Sequence, residues 1–380
     1  MVKHVLRLLV FIFCFKYGIS IHGQSDLSEA KSIAKLRVEN RQVAGDVFRC
    51  IQFVKNDSGN FLYLKILGQD IIHQFRQEKT GRFEHIKEYN FELKGPNGIR
   101  TSSTMFHILD DLSLVVFSMA GLAHYFNPDG QKLEQFEYKQ FITDFNVNGV
   151  PEVFGGQIYS DGQSNLFSST AGGSFEYTVK SDIYHLSLES GESDWILKDR
   201  ASILNNKYYG SINANGNTYT AYNRSTNELV ISIPNRHDLL VYEFPMVNNK
   251  RKTKASRSKH IKSNFPALSN RVKNYSEFDE FKFNAKTGFY AEIDYNEYRK
   301  VYYRNVYAPY SGYYKWDDAF KKPHLMILDD KLNTLYEVSV PDKHKGYFRF
   351  FSDQGICLFD EEQWELSEDY FPFTCYDFTD

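Results

Sequence analysis

Cysteine is scarce in this chain, with four residues in 380. Cys14 sits in an apolar run near the N-terminus, which leaves Cys50, Cys357 and Cys375 for the folded part. So low and odd a count excludes a disulfide framework as the source of stability. No CxxC pair and no zinc-type spacing occurs, and the 11 histidines are scattered, none paired at helical spacing. No metal or other cofactor is expected. GxSxG, HExxH, GxxxxGKS/T and GxGxxG are all missing, so no catalytic residue is assigned from a motif. Asn213-Ala-Asn-Gly-Asn217 has the outline of a calcium loop but lacks its aspartates. Arg224 stands where the closing glutamate belongs, and the segment reads as a plain turn.

Long apolar runs are missing too. The longest near the start, Leu8–Phe15, is eight residues, against the roughly 20 of a membrane-spanning helix. Lys3, His4 and Arg7 precede it, and small and polar residues follow. This pattern predicts a signal peptide over residues 1–23 and a mature chain starting at Gln24. Cleavage after Ser20 and an uncleaved anchor are the competing readings. No later segment is apolar enough to span a bilayer, so an exported product, periplasmic or extracellular, is expected. An excess of basic charge is also absent. Losing Lys3, Arg7 and Lys16 with the leader moves the formal charge from −3 to −6. Nucleic acid is excluded as a general partner, because its binding needs many cationic groups.

No linker rich in proline, glycine or serine divides the remainder. One domain over 47–380 is expected, after a segment 24–46 in which Leu27, Ala30, Ile33 and Ala34 have the spacing of a short helix. What the chain has in abundance is aromatic residues, 16%, with 32 Phe and 27 Tyr. These favour pleated sheet. Strand-like runs recur at Val47–Val54, Phe61–Leu67, Leu112–Phe117, Tyr208–Ile212, Leu229–Ile233, Leu239–Phe244, Phe289–Tyr295 and Tyr347–Phe351. Turns such as Lys55-Asn-Asp-Ser-Gly59 and Asn127-Pro-Asp-Gly130 separate them. A loose hairpin repeat joins Leu122–Phe126 to Lys132–Tyr138, Ile183–Leu188 to Trp195–Leu197, and Leu325–Leu328 to Thr334–Val340. The fold class is all-β. A propeller of six four-stranded blades, or seven, accounts for hairpins over more than 300 residues better than two sandwiches do.

Two segments carry the candidate site residues. Seven Lys/Arg fall between Lys250 and Lys262. Lys250, Arg251, Lys252 and Lys254 are candidates to dock an anionic partner, against the alternative of a solvated loop between blades. In Asn296–Tyr307, alternation puts Tyr298, Lys300, Tyr302, Arg304 and Val306 on one face and Arg299, Val301, Tyr303, Asn305 and Tyr307 on the other. This suits a strand between two layers. Its functional reading sets Tyr302 or Arg304 at the mouth of the channel.

Tyr298-Arg-Lys-Val-Tyr-Tyr-Arg304, after the basic Lys259–Lys262 stretch, resembles a family of exported bacterial proteins of unknown function. That family is placed among six-bladed, TolB-like propellers. The resemblance runs from Val47 to the C-terminus and implies the same fold, with no catalytic residues to carry over. Many members have a lipid-attachment cysteine after the signal. Gly23-Gln24 stands there in this chain, which argues against a lipid anchor.

The expected function is non-catalytic binding of a protein or glycan partner. The alternative is an enzyme acting on polysaccharide, lyase or hydrolase, with carboxylates in the channel. A propeller must also join its ends. If Val47–Val54 and Tyr370–Phe378 close the ring in one blade, Cys50 and Cys375 come within disulfide range. Cys357 with Cys375 is the competing pair, and three free thiols the default.

Overall fold

The computed structural model describes residues 32–39, 48–66, 69–101, 103–118, 121–137, 158–169, 183–195, 219–234, 236–244, 251–262, 288–309, 323–340, 344–366 and 370–378. The leader, Tyr208–Ile212, Asn213–Asn217 and Lys250 lie outside them. The described chain is almost wholly strand. Blade I is β2 (Phe48–Asn56), β3 (Gly59–Ile66), β4 (Ile71–Gln77) and β5 (Arg82–Asn90). Blade II is β6 (Ser103–Ile108), β7 (Leu114–Ser118), β8 (Leu122–Phe126) and β9 (Lys132–Glu137). Blade III is β10 (Ile158–Ser160), β11 (Asn165–Ser169), β12 (Ile183–Ser187) and β13 (Ser193–Trp195). Blade IV is β14 (Tyr219–Asn223), β15 (Glu228–Ser232), β16 (Leu239–Glu243) and β17 (Arg251–Lys254). Blade V is β18 (Phe289–Asn296), β19 (Val301–Tyr307), β20 (Pro323–Leu328) and β21 (Thr334–Ser339).

Blade VI takes β22 (His344–Ser352), β23 (Gly355–Asp360) and β24 (Tyr370–Tyr376) from the C-terminus. Its outer strand is β1 (Ser32–Glu39) from the N-terminus. The one helix among the described residues, α1 (Glu361–Leu366), links β23 to β24. The protein is a six-bladed propeller. No helix among the described residues is long and apolar enough to cross a membrane.

Ring closure differs from the expectation. Phe48–Val54 opens blade I and is not a strand of the closing blade, although β5 and β1 join the two blades into one continuous sheet. The strand that closes it is β1, pairing antiparallel with β24 from Ala34↔Cys375 to Glu39↔Tyr370. A short parallel contact, Arg37↔Arg82 and Val38↔Phe83, ties β1 to β5 as well. The helical spacing in 24–46 therefore gives way to strand over Ser32–Glu39: the free edge of β24 supplies a ladder of hydrogen bonds that local propensity does not.

The cysteines follow from this geometry. Cys357 and Cys375 face each other across β23 and β24 and are disulfide-bonded, with Cα atoms 3.9 Å apart. The Cys50–Cys375 pairing is not formed. Alternation on β2 turns Ile51 and Phe53 toward blade VI, where Cys375 is packed. It turns Cys50 the other way, toward blade II, where its Sγ donates to the Phe106 carbonyl at 3.8 Å.

The core lies between blades rather than in one centre. Phe53, Leu62, Leu64, Phe350 and Phe373 fill the I–VI seam. Val230, Val241, Tyr290, Tyr302 and Met326 fill the IV–V seam. Each blade is buried on both faces, which is why its middle strands carry apolar residues at consecutive positions.

One device recurs at the turn after the first strand of each blade. Asn56, Asp111, Asp161, Asn223, Asn296 and Ser352 each accept, through a side-chain oxygen, the backbone N–H two residues on. Such a turn satisfies amides that the ladder leaves unpaired. It also sets six similar turns around one end of the channel.

Candidate functional site

These turns nearly meet over the axis. Arg224, after β14, donates to Asp110 Oδ1 of blade II at 3.1 Å, to Glu297 Oε2 of blade V at 2.9 Å and to the Asp161 carbonyl of blade III at 3.0 Å. Blades II and V stand opposite each other in the ring, so one guanidinium ties the channel mouth across its width. Burial works against this charge, but Asp110 and Glu297 outweigh it and hold Arg224 above its ordinary pKa. Gly162 makes the approach feasible: its φ is +86°, and a Cβ there would fall on the Arg224 guanidinium. Lys55 continues the ring of contacts, its ammonium 2.6 Å from Asp353 and its backbone N–H on the Tyr298 hydroxyl.

Below this plug the channel is polar and self-paired. Arg349 of β22 reaches Asp294 of β18 with its Nε 3.1 Å from Oδ2, both side chains nearly without solvent contact. Burial pulls Arg349 down, and Asp294 and then Glu292 hold it above its usual value. Glu292 accepts from Asn305 at 2.9 Å. Tyr159 of blade III crosses to the Ile293 carbonyl of blade V at 3.3 Å. Its hydroxyl is pushed far up by burial and then by Asp294. His107 and Ser160, 2.8 Å apart, join blades II and III. Asp294 is thus engaged by a cation and Glu292 by an amide.

The basic segment does not form a solvated loop throughout. Arg251–Lys254 is β17, the outer strand of blade IV. Exposed Lys252 stands 3.5 Å from Glu228, and Lys254 donates to Asn333 of blade V at 2.8 Å. The chain then folds back over the seam. Ser256, Ser258 and Ile261 are buried, and Lys259 donates from its ammonium to the Glu337 carbonyl at 3.1 Å and from its backbone to Glu337 Oε2 at 3.0 Å. Between this segment and β21 lies a groove of about 460 Å³, lined on one wall by Arg257, Lys259 and Lys262 and on the other by Thr334, Leu335, Tyr336 and Glu337.

The other two candidates lie elsewhere. Tyr298 and Lys300 belong to the β18–β19 turn, and the alternation begins only at Val301. Tyr302 and Arg304 are wholly buried and do not reach the channel mouth. β19 is an inner strand whose faces pack against blades IV and VI, so a side chain there meets protein on either side. Arg304 donates to Ser232 Oγ (2.9 Å) and to the carbonyls of Arg236 (2.9 Å), His237 (2.9 Å) and Ser256 (3.0 Å). It clamps blade V to blade IV. Burial lowers its pKa to about 10.

The channel plug was not legible from spacing. Arg224, Asp110 and Glu297 are far apart in sequence, and each reads alone as a turn residue. Their shared signal is position: each lies within a few residues of one of the six repeated turn-capping side chains.

A member of the DUF4221 family from Bacteroides vulgatus superposes with a TM-score of 0.66 at 16% identity, covering 92% of this chain and 98% of that one. A candidate exported protein from Bacteroides fragilis gives a TM-score of 0.48 at 14% identity, covering 90% and 99%. No curated protein matches the sequence. The profile of DUF4221, a domain of unknown function, matches residues 47–339, and the chain belongs to that family.

Proposed function

We propose that this protein is an exported, non-catalytic propeller that binds an anionic partner, protein or glycan, in the basic groove at the seam of blades IV and V. The groove itself carries the reading. It joins three cationic side chains, Arg257, Lys259 and Lys262, to an apolar and aromatic wall, Leu335 and Tyr336. Lys252 extends the positive surface along β17. Charge draws the partner in, and the aromatic wall gives it contact area. Export rests on the leader: the basic start and the apolar Leu8–Phe15.

The enzymatic alternative finds less support. A glycoside-cleaving pair needs one carboxyl to give a proton and another to act as base or nucleophile. Asp294 is engaged by Arg349, Glu292 by Asn305, and Asp110 and Glu297 by Arg224.

Retention of the mature protein on immobilised heparin, used as a polyanion probe, tests the reading. The wild type is expected to elute at higher salt than a variant with Lys252 and Lys262 changed to Ser. The variant should keep its melting temperature, since exposed substitutions usually shift stability within about 0.5 kcal/mol. Equal elution of the two proteins rejects the groove as the site.

A further inference from the structure

On the third and fourth strands of blade I, away from the groove and the channel plug, two histidines and a glutamate converge. His73 on β4 stands directly opposite Glu88 on β5. His85 lies three residues before Glu88, and regular alternation would send it to the other face. A β-bulge prevents that. Gln74 opposes Lys87 and Phe75 opposes His85, so Ile86 is the extra residue, and it points out into solvent. The bulge re-aims His85 onto the face of His73 and Glu88. Glu88 Oε1 is then 3.6 Å from His73 Nδ1 and 3.6 Å from His85 Nε2. One ligand atom from each of the three residues lies within 4.8 Å of the others.

We propose that His73, His85 and Glu88 bind a divalent transition-metal ion, with zinc the ion their ligand set fits. A tetrahedral zinc with ligands at about 2.0–2.1 Å places neighbouring ligand atoms roughly 3.3 Å apart. The two 3.6 Å separations require closure by a few tenths of an ångström. Two imidazoles and a carboxylate are the donors that zinc accepts, and they leave a fourth position for water or a partner's ligand. The histidine side chains are nearly enclosed, while that of Glu88 is 45% exposed, so an ion has an entry from its side. The ring of Phe75 stands edge-on to His85, centroids 5.3 Å apart, and walls the site toward the core. Burial, set against Glu88 and with His85, lowers the pKa of His73, which favours the neutral ring a metal requires.

The bulge is the independent sign of a built site. Bulges that re-aim a side chain gather where function needs one, and this one serves to bring a buried imidazole to a carboxylate on its own strand. The same arrangement without a metal is a packed His–Glu ion-pair cluster, and the experiment separates the two.

The full mature chain, without a histidine tag, is titrated with zinc by calorimetry and with cobalt by visible absorption. One equivalent of zinc is expected to bind, and cobalt should give the intense bands of a four-coordinate site. Glu88→Gln is exposed enough to leave the fold intact. It should weaken binding beyond the roughly 10–100-fold that losing an outer partner costs. His85→Gln should abolish the cobalt bands. His260→Gln, at the distant groove, should leave binding unchanged. No saturable equivalent in the wild type, or equal affinity in Glu88→Gln and wild type, overturns the proposal. A melting temperature raised by zinc in the wild type but not in Glu88→Gln supports it without reference to any activity.

Discussion

The guanidinium of Arg304 lies over the ring of Tyr290, 3.5 Å from its centroid, at the seam of blades IV and V. Tyr290 in turn accepts from the Ser258 backbone at 2.9 Å and stands 2.8 Å from His237 Nδ1. The strand of blade V, the turn of blade IV and the basic segment are therefore held by one pair. The charge has no carboxylate among its hydrogen-bond partners; three carbonyls, a hydroxyl and a π-face solvate it instead.

Arg304→Met keeps the stem but strips donors from three carbonyls. Each buried acceptor left unpaired costs about 1–3 kcal/mol, so a loss of roughly 3 kcal/mol or more is expected. Urea unfolding measures it. Because Ser256 is one of the acceptors, the variant should also loosen the basic segment and weaken heparin retention. An unchanged unfolding midpoint would remove the clamp from this account.

Acid should destabilise the ring through His107. Burial, and then the charge of Arg224, pulls its pKa to about 3, against about 6.5 in the unfolded chain. The folded value is the lower one, so the unfolded chain takes up the proton first. Stability is full above about pH 6.5 and falls as pH drops, until the folded histidine titrates near 3. His124 and His324, each held near 4 chiefly by burial, act in the same sense. Changing His107 to Gln should reduce the loss between pH 6 and 4.5 by about 2 kcal/mol, one proton's worth of slope. Urea midpoints at the two pH values decide it, and parallel losses in both proteins would count against a neutral buried His107.

Blade hairpins were legible because each buries two faces and ends in a polar turn. Leu122–Phe126 is β8 as read, and the hairpins starting at 183 and 325 fall on the third and fourth strands of blades III and V. The capping residues Asn56, Asp111, Asp161, Asn223, Asn296 and Ser352 are a truer repeat. Three residue types and spacings from 50 to 73 residues hide it. Tyr302 and Arg304 misled for a related reason. Alternation states that a strand has two faces, but not that a neighbouring blade covers each. The three proposed ligands on blade I were invisible, because histidine and glutamate three apart on a strand meet only through a bulge.

The disulfide predicts a mapping result and an energy. Peptides from the non-reduced protein should contain Cys357 linked to Cys375, and no Cys50–Cys375 product. The bond closes a loop of sequence separation 18, for which chain entropy gives about 3 kcal/mol. It staples β23 to β24 within one blade, so its loss should lower stability without opening the ring. A Cys357→Ala, Cys375→Ala protein that keeps the oligomeric state of the wild type with a lower melting temperature is the expected outcome. Self-association gained on loss of the bond would assign it a role in closure.

Closure itself rests on β1. Seven partner pairs join it to β24, and cross-strand pairs contribute roughly 0.2–1 kcal/mol each, so a few kcal/mol depend on a strand from the far end of the chain. Processing near Gln24 leaves Ser32–Glu39 whole, which makes the expected cleavage compatible with a closed ring. A protein starting at Gln24 should therefore match the full-length chain in melting temperature and oligomeric state. One starting at residue 41 lacks β1, and the edge of β24 is bare. An unpaired edge is a template for another chain. That truncation should melt several degrees lower and self-associate, with dimers or larger species in analytical ultracentrifugation. An added peptide spanning residues 30–41 should reverse both effects by restoring the strand. If the truncation matches the longer protein in stability and oligomeric state, the N-terminal strand does not close the propeller.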